Sequence, residues 1–151
     1  MMRNIFDLKA AMTARHAQHV VLIHFPIALF MAAVVFDYLA RWRKSTALSL
    51  AAYFNLLLAA ISTVPVLLTG IAAWQWALGG QKLKGVLLFH LVLGCVSAAL
   101  IWIVFLLHRR ARDLTHRPLT KLRLALEGVA FLIIAITAHL GGFLSGVNLP
   151  S

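Results

Sequence analysis

Apolar residues fall in four long blocks, at 20–40, 48–78, 86–107 and 124–144, separated by gaps that hold most of the charge. Within the blocks there is neither the two-residue alternation of a half-buried strand nor the narrow stripe of a helix lying on a soluble core. Each block reaches the length of about 20 residues that carries a helix across the hydrocarbon layer. Backbone groups in lipid must pair within their own segment, so blocks of this length cross as helices. The pattern predicts an all-α fold, an integral membrane four-helix bundle. The second block exceeds one straight crossing, and Pro65 within it lacks the N–H that would bond the carbonyl of Ile61, so a tilted helix kinked there is expected.

Ahead of the first block, NIFDLKAAMTARHAQ places Ile5, Leu8 and Met12 at helical spacing, with Asn4 and Asp7 resembling a cap over the first turn. This reads as a short N-terminal interfacial helix. The stretch is charged where the core of a signal peptide is apolar, and the following block is too long for one, so the first span is expected to stay as an anchor.

Composition agrees with a lipid environment: 62% of the 151 residues are hydrophobic, 12% are charged, and mean hydropathy is +0.92. The length fits a single membrane domain. The net charge of +10 does not indicate nucleic acid, because the basic residues sit between apolar blocks, where they set topology. Arg41, Arg43, Lys44, Arg109, Arg110, Arg112, Arg117, Lys121 and Arg123 lie on one side, against Arg3, Lys9, Arg15, Lys82 and Lys84 on the other. That bias places both termini outside the cytoplasm. Cys95 is the sole cysteine, which removes an intramolecular disulfide and any Cys-x-x-Cys site.

Histidine is the chemistry-bearing residue. His108 and His116 fall in the basic loop and read as solvated; His16 and His19 fall at the outer interface. His24, His90 and His139 lie inside apolar blocks, each roughly 7 to 9 Å below the outer boundary. Two readings follow: a shared site in one layer, or three separate interfacial imidazoles bonded to carbonyls or headgroups. Gly94, one turn after His90, leaves room beside that imidazole for a flat ligand or a close helix. Asp37 with Arg41 and Arg123 with Glu127 are four apart, which gives both acids local partners. Nothing resembles a catalytic triad, a phosphate loop or paired catalytic carboxylates, so an enzyme acting alone is not expected.

The order HFPIAL at 24–29, LLTGIAAW at 67–74, His90 in the third span and GGFLSGV at 141–147 resembles a family of bacterial four-helix membrane proteins. That family looks distantly similar to membrane b-type cytochromes, and the resemblance implies a haem and a place in the bacterial inner (cytoplasmic) membrane. The leading expectation is thus a haem b electron-transfer subunit near the outer face, working with other membrane or periplasmic redox subunits. His24 and His90 are the expected iron ligands, because consecutive spans around a square bundle put the first and third on a diagonal. His139 is then a hydrogen-bond partner or alternative ligand. The alternatives are a structural anchoring subunit and a His-ligated zinc or copper site.

Overall fold

In the computed structural model the described residues are 15–113 and 120–145. The expected interfacial helix before the first span, and His116, lie outside them. The elements are α1 (Arg15–Leu22), α2 (His24–Arg43), α3 (Thr46–Ala72), a π-helical turn (Ala73–Ala77), α4 (Gly85–Asp113) and α5 (Thr120–Leu144). The described residues contain no strand. Four segments are long and apolar enough to cross a membrane: Gln18–Arg43, Thr46–Trp76, Gly85–Ala111 and Lys121–Leu144.

Local sequence explains the junctions. Pro26 has no N–H for the carbonyl of Leu22, and α1 gives way to α2 at Ile23, directly beside that lost bond. Lys44 closes α2 in the left-handed region at φ 51°, and the Ser45 hydroxyl then caps α3 by accepting from the Leu48 N–H at 3.3 Å. So short a connection makes α2 and α3 antiparallel neighbours. Pro65 is held inside α3, which runs uninterrupted past it. Gly79 and Gly80, at φ 60° and 62°, turn the chain back toward α4, and Trp74 Nε1 donates to the Gln81 carbonyl across that turn at 2.9 Å.

The bundle packs α2 on α3 and α4 on α5, with α3 against α4 and α5 closing on α2, so α2 and α4 stand diagonally. Phe30, Ala33, Leu56, Ala59, Ile101, Val104, Ala130 and Ile134 form the interior. Alanine at so many of these positions lets the helices approach closely, the packing available where lipid supplies no hydrophobic drive between helices. Large apolar side chains such as Phe54, Leu68, Phe89 and Leu132 point outward, as a bilayer solvent requires.

An internal repeat runs through the fold. Pro26, Phe30, Ala33 and Asp37 of α2 are buried, and so are Ser97, Ile101, Val104 and His108 of α4, each 71 residues further along. Ala52, Leu56, Ala59 and Thr63 of α3 correspond in the same way to Arg123, Glu127, Ala130 and Ile134 of α5. Two pairs of equivalent residues also meet each other: His19 with His90, and Asp37 with His108. The chain is thus two helical hairpins of like direction arranged about a pseudo-two-fold axis along the bundle. The meeting pairs lie on that axis, separated along the helices by about 27 Å, from 18 residues at 1.5 Å each.

Candidate functional site

At one end of the axis the His19 and His90 rings lie 6.4 Å apart between centroids, with planes at 86°. Each is set by a glycine of its own hairpin: a Cβ on Gly70 would stand 3.0 Å from Cε1 of His19, and one on Gly141 would stand 3.1 Å from Cε1 of His90. These two glycines are themselves equivalent in the repeat. His90 Nδ1 donates to the Thr137 carbonyl at 3.1 Å, which leaves the lone pair on Nε2. His19 Nδ1 lies 3.3 Å from Thr69 Oγ1, whose own proton goes to the Pro65 carbonyl at 2.8 Å, so the hydroxyl accepts and His19 takes the same tautomer. Both assignments follow from the hydrogen-bond network. Two imidazoles, each steered by an oxygen acceptor behind it, are a donor set for a transition-metal ion when neutral.

The other expected site residues are placed elsewhere. His24 is exposed and turns back to the carbonyl of Val20 at 2.7 Å. Its separation of five residues from His19 rotates it about 140° around the helix, away from the axis. His139 is exposed and edge-on to Phe143 at 5.0 Å, and two residues from Thr137 or Gly141 turn it about 160° from their inward face. The structure therefore brings His90 to His19, and not to His24 or His139. At Gly94 a Cβ would meet nothing within 4 Å, so that glycine makes no close approach. The contrast is testable by thermal unfolding in detergent. Gly94→Ala is expected to hold or raise stability by up to about 1 kcal/mol through helix propensity, whereas Gly141→Ala must displace an imidazole held from behind and is expected to fall below it.

At the opposite end Asp37, 2% exposed, gathers three partners. It accepts from Arg41 Nε and Nη2 at 3.1 and 3.0 Å, from Arg123 Nη2 at 2.8 and 2.9 Å, and from His108 Nε2 at 3.0 Å. The pairing of Asp37 with Arg41 is the one its spacing predicts; the two cross-helix partners are additional. His108 corrects the sequence reading, for it is 1% exposed rather than solvated. The physical reason is that α4 continues past its apolar block to Asp113, which carries His108 into register across from Asp37. Glu127, 1% exposed, stands 3.6 Å from Arg123 Nε.

Fold and surface together define a four-span α-helical membrane protein. The chain belongs to the family described as "Predicted membrane protein (DUF2231)", whose family model matches residues 15–147. No curated protein and no solved structure matches it.

Proposed function

We propose that the protein is a membrane electron-transfer subunit holding one haem b at the histidine end, with His19 and His90 as the axial ligands. The observation that carries this reading is the pair itself. The ring centroids lie 6.4 Å apart, close enough for both residues to hold one metal ion through bonds of about 2 Å. The haem would supply one-electron chemistry; this chain supplies two imidazole nitrogens, the carbonyl and hydroxyl that orient the rings, and a lipid-exposed apolar shell. Lys82 and Lys84, exposed on the turn at the same end, suit the propionates. On the charge bias this end faces outside the cytoplasm, in the bacterial cytoplasmic membrane, where another membrane or periplasmic subunit exchanges the electron.

The test is an absorption spectrum of the protein purified in detergent after expression with ample haem, oxidised and then reduced, with metal analysis on the same sample. Low-spin haem bands at one haem per chain are expected. Absence of a Soret band rejects the haem, and one equivalent of copper or zinc in its place reassigns the imidazole pair to a bare ion.

A further inference from the structure

The repeat shows what the polar residues at the basic end are not needed for. α3 buries Ala52 and Leu56 where α5 buries Arg123 and Glu127, so an apolar pair fills the equivalent space in the same bundle. Buried ion pairs are weak stabilisers, because desolvation offsets much of their attraction, and apolar replacements are often neutral or favourable. Packing therefore leaves Glu127 unexplained.

Its surroundings are specific. Neither carboxyl oxygen of Glu127 has a hydrogen-bond partner, and Arg123 Nε, its nearest cationic atom at 3.6 Å, has none either. Arg41 and Arg123 both direct their hydrogen bonds to Asp37. Because the Asp37 carboxylate can only accept, His108 Nε2 carries the proton between them, and Nδ1 is the other nitrogen of that ring. That Nδ1 is likewise buried without a partner. Asp37, His108 and Glu127 each offer an atom within 4.8 Å of the others. A buried polar atom without a partner is costly, and here such atoms lie on two neighbouring titratable groups.

We infer that Glu127 is a proton-binding residue, one carboxyl oxygen taking up a proton inside the cluster it forms with Asp37 and His108. No other bond changes: the carboxylate becomes a carboxylic acid, and on release the proton leaves from the same oxygen. A proton suits the site better than a divalent metal. Asp37 and Glu127 are balanced by Arg41 and Arg123, so a dication would add two unmatched charges inside a lipid-facing bundle, whereas a proton adds one. The titratable and charged groups facing it are Asp37 and Arg41 from α2, Tyr53 from α3 with its ring 6.5 Å from that of His108, His108 from α4, and Arg123 on α5 itself. The cluster reaches solvent chiefly along Arg41, whose side chain is 27% exposed. It is separate from the histidine pair and does not rest on the haem.

Only four acids exist in the chain, Asp7, Asp37, Asp113 and Glu127, which keeps infrared difference spectra simple. Native protein in lipid nanodiscs, stepped between two pH values, is expected to gain and lose the carbonyl stretch of an unhydrated carboxylic acid. That band should vanish completely in Glu127→Gln and shift in Glu127→Asp. Glu127→Leu, which copies Leu56, should also lose it while keeping native helix content, and so separates loss of the proton from loss of the fold. A native spectrum without the band, or a band unchanged in Glu127→Gln, overturns the assignment. Saturable zinc binding that Glu127→Gln abolishes, with no pH-linked band, overturns it in favour of a metal.

Discussion

Asp37→Ala is expected to lower stability by about 3 to 5 kcal/mol, the range for removing one partner of a buried charge network. Its carboxylate is the acceptor shared by two guanidinium groups and an imidazole. Arg41 can swing toward the membrane surface when the acid is gone, because its side chain is 27% exposed. Arg123 and His108, at 10% and 2%, have no such route and lose the acceptor of their present hydrogen bonds while staying buried. Asp37→Asn is expected to recover only part of the loss, since its amide oxygen still accepts but lacks the charge that holds two cations. Unfolding by heat or by graded SDS in mild detergent measures both, with Glu127→Leu as the companion variant expected to stay near native stability. A loss below about 1 kcal/mol for Asp37→Ala would show that the network contributes no more than an exposed ion pair.

Single replacement of His90 or His19 by Ala is expected to abolish low-spin haem absorption, while His24→Ala and His139→Ala leave it in place. The division follows from rotation about the helices. His19 and His90 face each other across the axis; His24 is engaged with its own helix at Val20, and His139 stacks on Phe143. If the two imidazoles hold a haem as proposed, removing either would take away half of the protein's nitrogen donors to it, so the change would read as a loss of signal rather than a shift. Equal loss from His19→Ala and His90→Ala is the specific expectation, because each would supply one of the two nitrogens and each is backed by an equivalent glycine. Haem that survives His19→Ala but not His24→Ala would return the ligand role to the first inward-numbered histidine of the apolar block.

The four spans were legible because lipid imposes a length and an apolar composition that nothing else in a short chain imitates. The helix ends were less so. The end of an apolar block marks where lipid stops, not where hydrogen bonding stops, and α4 continues through charged residues to Asp113. That one difference turned His108 from a loop residue into a buried partner of Asp37. Depth was readable for the histidines, but orientation was not, because a residue's side of a helix depends on how neighbouring helices rotate to pack. His19 was discounted as interfacial, although its spacing to Gly70 equals that of His90 to Gly141. The 71-residue repeat is the signal that pairs the two.

The repeat also bears on why the two hairpins share one chain. A free hairpin that self-associated about the same axis would have to present one side chain twice at every point where the axis is crossed. Imidazole meeting imidazole tolerates this, since one ion can sit between identical donors. Carboxylate meeting carboxylate at 3.0 Å, the present spacing of Asp37 from His108, would repel strongly in so dry a place, and two histidines there would remove the acid that Arg41 and Arg123 share. Covalent fusion frees the two copies to differ. It allows an acid on one hairpin and a base on the other, so that a single bundle has like meeting like at one end and opposites meeting at the other.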